Sequence, residues 1–273
     1  MGNEDLGDSL RASLGQGVSA WNKDHVDLLR QGVPAWNEWR IYHLDTQPNL
    51  SGANLSGMDL TGIDLHEAGI VQSDLSGVCL KGANLFRAAL KASLCKDAIF
   101  TRADLHEADL CLADLTGARL DYADFKRTDL SFTKLNNADL SGADLGRAFL
   151  LRADLTGANL RYASLKFADL ANANFTGADL RDTNLEGARF HGTNLSKADL
   201  TGARVYGVAV WDIVVDQDTT QMDLIISPEH EPTTTVDNLE VAQFMYVLLK
   251  NERIRDVVDQ AIRKIKSSGK MAR

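Results

Sequence analysis

From Leu50 to Val215 every fifth residue is large and apolar, with no slip in phase: 34 positions, of which 25 are Leu, four Phe and three Val, completed by Ile70 and Cys95. Two residues ahead of most of them stands a small one, Ala in 22 of the 34 cases, with Thr128, Thr133, Thr183, Thr193, Ser73 and Ser93 among the rest. Such a fixed period marks a tandem array, and it governs how every other residue is read. In an extended segment alternate side chains share a face, so the small and the large residue point inward together and the Asp or Asn between them points out. The remaining two positions must turn the chain. Pairs such as Ser51-Gly52, Thr61-Gly62, Lys81-Gly82, Thr116-Gly117 and Glu186-Gly187 place Gly at the offset that suits a corner. A helix is excluded, because a period of five drifts off a 3.6-residue face within two turns.

Units such as Ala103-Asp104-Leu105, Ala108-Asp109-Leu110, Ala143-Asp144-Leu145 and Ala178-Asp179-Leu180 spell A-[DN]-L-x-x, which resembles the unit of the pentapeptide repeat family over residues 46–215. The resemblance implies a mainly β fold, a right-handed, quadrilateral parallel β-helix with one unit per side and four per coil. Period five alone leaves three and four sides open. At a twenty-residue step, however, the outward column Glu67, Arg87, Glu107, Arg127 alternates in sign, as neighbours on coils stacked about 4.8 Å apart should. The array then makes a rod of roughly 40 Å with one continuous Leu core.

The flanks read as caps, which a solenoid needs to cover its strand edges. The expected organisation is a helical N-terminal cap over 1–45, the β-helix over 46–215, and a strand plus two helices with a polar tail over 216–273. In the first segment Gln16-Gly17-Val18-Ser19-Ala20-Trp21-Asn22 is echoed by Gln31-Gly32-Val33-Pro34-Ala35-Trp36-Asn37. Ser19 as N-cap and Pro34 as a first-turn residue predict two short helices, each presenting a Trp to the cap core. The stretch 29–40 is similar to the lead-in of many bacterial family members. Beyond the array, 222–226 reads as one more strand. Asp237 with Glu240 reads as a capping box opening a helix over 238–250, and Asn251 caps a second helix carrying Ile254, Val257, Val258, Ala261, Ile262 and Ile265. This part resembles an element that precedes a further domain in some larger bacterial members; here only a Lys/Ser/Arg tail follows, and no such domain is expected. The first of the two helices, with Phe244, Tyr246, Leu248 and Leu249, is apolar nearly all round and is a candidate association helix.

The charges sharpen what the rod is for. The net charge of −9 divides into −3 over 1–45, −4 over the repeats and −2 over 216–273. The best-known activity in the resembled family is that of acidic rods that imitate duplex DNA and bind topoisomerases such as gyrase, which requires a long face of one sign. Mixed signs and the absence of inserted loops make that the alternative. Direct nucleic-acid binding and membrane insertion are not expected, since the apolar run 241–249 is too short to span a bilayer. Without a secretory leader pattern the expected location is cytoplasmic, where Cys79, Cys95 and Cys111 remain free thiols. His66 and His106 share a column but stand about 10 Å apart, too far for one metal. No nucleophile–base pair, phosphate loop or metal spacing stands out, so a non-enzymatic protein without cofactor or metal is expected. The sides do offer one departure from polarity. Leu112 and Phe132 at the same outward phase, Phe149 and Leu151 on the next coil, and Cys111 beside them form a candidate interaction patch for a protein partner or, like the C-terminal helices, for a second copy.

Overall fold

The computed structural model describes residues 22–251. Within each unit the residue before the large apolar one pairs in parallel with the residue twenty positions on, from Asn49 with Gly69 to Asn194 with Val214. Four five-residue units therefore complete one coil. The amide of Leu55 donates to the Asp74 carbonyl at 2.8 Å and that of Asp74 to the Ala53 carbonyl at 3.0 Å, a ladder repeated along the rod. At each corner the chain turns tightly: the Ala53 amide donates to the Leu50 carbonyl across Gly52, whose φ is +74°. This left-handed corner explains the Gly at a fixed offset. Asp and Asn before the apolar residue serve the same turn, as where Thr61 N donates to Asp59 Oδ1 at 3.0 Å. The large apolar residues from Leu50 to Val210 and most of their partners fill the interior, whereas Val215, expected inward, is 42% exposed because the register breaks after Val214. Where Ser or Thr replaces Ala, the hydroxyl is spent inside: Ser93 Oγ donates to the Ile70 carbonyl and Thr128 Oγ1 to that of Leu105.

Many corners lack Gly, and their side chains lean onto the coil that follows. Asp97, Tyr122, Asn137, Phe167, Asn172 and Asp182 each lie over the corner twenty residues later, and each of those corners is Gly. Glycine thus supplies room as well as φ. Gly177 and Gly187 share a φ of +67°, yet a Cβ on Gly177 meets nothing within 4 Å, whereas one on Gly187 stands 2.4 Å from Phe167 Cδ1. Gly177→Ala should cost about 1 kcal/mol for the left-handed backbone. Gly187→Ala should cost roughly 1 kcal/mol or more beyond that, because the ring must leave its seat. Urea unfolding of the two variants compares them directly; equal midpoints would show that Phe167 does not rest there.

The twenty-residue register ends with a single inserted residue. Asp199 pairs with Thr220 and Arg204 with Ile225, a step of twenty-one. The loop absorbing it is tied down by Asp216, whose Oδ1 accepts from Lys197 N at 3.0 Å. Coil pairing thus runs on through Ile225. Two short strands, β1 (Arg189–His191) and β2 (Ala209–Trp211), pair in parallel. Beyond them β3 (Leu224–Ile225), inside the segment expected as a strand, pairs antiparallel with β4 (Thr235–Val236).

At the N-terminal end α1 (Lys23–Leu29) and α2 (Val33–Tyr42) close the first coil with side chains that imitate a neighbouring strand. Asn37 Oδ1 accepts from Asp64 N and its Nδ2 donates to the Gly62 carbonyl. Trp36 Nε1 donates to the Asp64 carbonyl at 2.7 Å, and the buried Arg40 guanidinium donates to the carbonyls of Thr46 and His66. His25 Nδ1 accepts from Asn49 N at 3.1 Å, and burial holds its pKa below the ordinary histidine value. The first helix is capped by Asn22 rather than by Ser19. Asn22 is extended because its amide also donates to the Asn49 carbonyl, so the helix cannot begin before it. Ser19 and Trp21 lie outside the described residues. At the other end α3 (Leu239–Lys250) is capped by Asn238, whose side chain accepts from Val241 N; Asp237, the expected cap, instead accepts from Asp223 N. The second C-terminal helix expected from Asn251 onward lies outside the described residues.

Candidate interaction surface

The side of the rod between the corner at Arg147 and that at Arg152 carries the apolar patch. Stacking places Asp109, Asp129 and Phe149 in one outward column, each paired with the next through a parallel bridge. Phe149 is 52% exposed and Leu151 37%. Phe132 is half-buried, with the Arg152 guanidinium 5.9 Å from its ring centroid. Leu112 departs from expectation: at 3% exposure it is covered rather than open to solvent. It sits at a left-handed corner with φ +64°, one coil before the corresponding corner at Phe132. The apolar surface is therefore narrower on that edge than the sequence pattern suggested.

It is wider on the opposite edge. Phe167, one coil beyond Phe149 at the other corner of the same side, is 52% exposed and lies flat over Gly187, with the Arg147 guanidinium 5.9 Å from its ring. The sequence pattern did not single it out, although the twenty-residue grid already puts it there. Phe132 and Phe167 at two corners, Phe149 and Leu151 between them, and an arginine stacked on each outer ring make a surface of aromatic and arginine groups, the types that dominate binding energy at protein interfaces. Beside it Cys111 is half-buried, and burial together with Asp129 and Asp109 pushes its thiol up to about 11. Burial, with Asp129 close by, likewise raises the Asp109 carboxyl above its ordinary range.

The other expected features fall into place around this side. In the sign-alternating column Arg87 Nε reaches Glu107 Oε2 at 2.8 Å and Glu67 lies 3.9 Å from Arg87; Arg127 closes on Glu107 at 3.4 Å. This is a self-neutralising ladder rather than a face of one sign. Among the described residues of α3, Leu239 and Ala242 are buried against the last coil, and Tyr246 meets Tyr206 edge-on at 5.1 Å. Leu248 is half-buried. Val241, Phe244 and Val247 face outward, Phe244 at 58% exposure, so the helix is covered on one side rather than all round. The side chain of Leu249 is outside what is described. No helix among the described residues is long and apolar enough to cross a membrane.

The sequence matches the family model for pentapeptide repeats in eight copies, over residues 49–85, 79–120, 98–137, 112–147, 133–166 and 168–205. Among solved structures it is similar to HetL, a pentapeptide repeat protein involved in heterocyst differentiation regulation in the cyanobacterium Nostoc. Identity there is 30%, with 65% of this chain and 92% of that one covered and a TM-score of 0.35. It is also similar to QnrB1, a plasmid-mediated fluoroquinolone resistance protein, at 22% identity, with 63% and 83% covered and a TM-score of 0.36. No curated protein matches the sequence.

Proposed function

The chain belongs to the pentapeptide repeat family, whose fold is a right-handed β-helix, and on that footing we propose that it is a non-enzymatic interaction rod that presents one aromatic side to another protein. The observation that carries this is the gathering of Phe132, Phe149, Leu151 and Phe167 on a single side with Arg147 and Arg152 stacked at its edges. A rod braced coil to coil holds these groups in fixed positions, so little ordering is needed on binding. A regulatory or adaptor role in the cytoplasm fits such a surface. Where no second protein is bound, the same side or the Phe244 face of α3 serves association of two copies. Phe149→Ser combined with Phe167→Ser should weaken partner capture or self-association at least tenfold and leave the melting temperature nearly unchanged, since both side chains are half in solvent. Pull-down and light scattering read the first effect, and Tyr122→Ser on another side is the control. A large loss of stability would assign the patch to the fold.

The alternative, a DNA mimic directed at gyrase, is disfavoured by the Glu67 to Arg127 ladder. The same purified protein should leave gyrase supercoiling unaffected at micromolar concentration. Salt-sensitive inhibition or protection would reverse the ranking.

A further inference from the structure

Aspartates stacked on successive coils repel each other, and at two such pairs a cation stands between them. Between Asp124 and Asp144 stands Lys126, with Nζ 2.9 Å from a carboxylate oxygen of each. Between Asp179 and Asp199 stands Arg181, bonded to the first and 3.7 Å from the second. In both cases the cation sits two residues after the first Asp, where the turn aims its side chain between the coils. The half-buried pair Asp109 and Asp129 has the same stacking, but the residue at that place is Cys111. One oxygen of each carboxylate is held by a backbone amide, that of Cys111 for Asp109 and that of Ser131 for Asp129. A ligand atom from each of the three side chains lies within 4.8 Å of the other two.

We propose that Asp109, Cys111 and Asp129 bind a zinc-class divalent cation, which takes the place that Lys126 and Arg181 fill elsewhere. A thiolate with two carboxylates is a borderline-soft donor set that suits Zn²⁺ and disfavours Mg²⁺ and Ca²⁺, which take oxygen ligands. Binding releases the thiol proton to solvent and forms the metal–sulfur bond. Three protein donors leave a fourth tetrahedral position for water or for a donor from another molecule. The charges then close: three negative ligands, a divalent cation and Lys91, whose charge acts on both Asp109 and Cys111, sum to zero. The twenty-residue step hides this site from any scan for nearby ligands, because Asp129 approaches Cys111 only through stacking.

The test uses the full-length protein in a non-chelating reductant. Titration calorimetry should find one equivalent of Zn²⁺ per chain, undisturbed by millimolar Mg²⁺ or Ca²⁺. Co²⁺ should give the charge-transfer absorption of a metal-bound thiolate. Cys111→Ser should abolish both signals, Asp129→Asn should weaken binding at least tenfold, and Cys79→Ser should change nothing. Cys111→Lys should melt above the metal-free wild type and gain nothing from Zn²⁺, since the lysine supplies the missing charge. The absence of saturable Zn²⁺ binding, its persistence in Cys111→Ser, or equal binding of Ca²⁺ would overturn the proposal. None of these outcomes bears on the aromatic side, whose partner binding is measured separately.

Discussion

Replacing Leu145 by Asp should abolish the cooperative unfolding transition of the protein. Leu145 has no exposed surface, and its backbone is already fully engaged: its amide donates to the Ser164 carbonyl at 2.7 Å and its carbonyl accepts from Ala148 N at 3.0 Å. The substitution therefore leaves the ladder intact and changes only what stands between two coils. A carboxylate there finds no donor, and burying it unpaired costs several kcal/mol, comparable with the whole stability of an ordinary domain. Because each coil touches only its neighbours, a break in mid-rod also removes the coupling between the two halves. Leu145→Ala, which leaves a cavity and no charge, should cost about 2–5 kcal/mol and keep a single transition. Thermal melts followed by circular dichroism distinguish the two. An unchanged midpoint for Leu145→Asp would mean that the side chain does not point inward.

Trp36→Ala should uncap the N-terminal end and do so locally. Trp36 is fully buried, and its indole is the donor that satisfies the Asp64 carbonyl on the exposed edge of the first coil. Losing a buried Trp costs roughly 3–5 kcal/mol. In a nearest-neighbour stack that loss falls on the coil beside the cap before it reaches the middle. Hydrogen exchange should show amides of the first coil, such as Leu50 and Leu55, exchanging faster while Leu160 and Leu165 keep their protection. Trp36→Phe retains most of the apolar area and loses only the donor, so it should cost about 1 kcal/mol. Uniform loss of protection along the rod would show that the array unfolds as one block and that the cap is not a separate element.

The inward register was legible as far as Val210 because it depends on one arithmetic rule, a single phase of apolar positions that the stacked coils follow to Val214; Val215 keeps the phase but is exposed, since an extra residue breaks the register just beyond it. The alternating ladder from Glu67 to Arg127 was legible for the same reason. What escaped was set by side-chain direction at the corners. Phase alone gave Leu112 and Phe132 the same outward place, whereas Leu112 is buried at its corner and Phe132 half-buried at the next. Phe167 was passed over because no outward apolar residue flanks it in the sequence, although the Arg147 guanidinium stands 5.9 Å from its ring and Phe149 lies one coil back on the same side. The caps were legible as helices but not at their first residues. Asn22 and Asn238 each hold a cap position that local spacing assigned elsewhere, and at Asn22 a bond to the first coil decided the matter.

The four-sided coil makes direction a countable quantity. Each five-residue unit advances the surface by a quarter turn, and each set of four restores the heading while lengthening the rod by about 4.8 Å. Gain or loss of one unit between α2 and Phe149 would leave every Leu inward and yet swing the aromatic side through a right angle relative to the N-terminal cap. Gain or loss of four would keep the bearing and change only the reach. A lineage of such rods can therefore explore the azimuth and the distance of a binding face as separate whole-number variables, by slippage of a short repeat, without ever passing through an unfolded core. The single residue inserted after Val214 falls downstream of the aromatic side, at the last coil before α3, so it leaves the bearing of that side on the N-terminal cap unchanged.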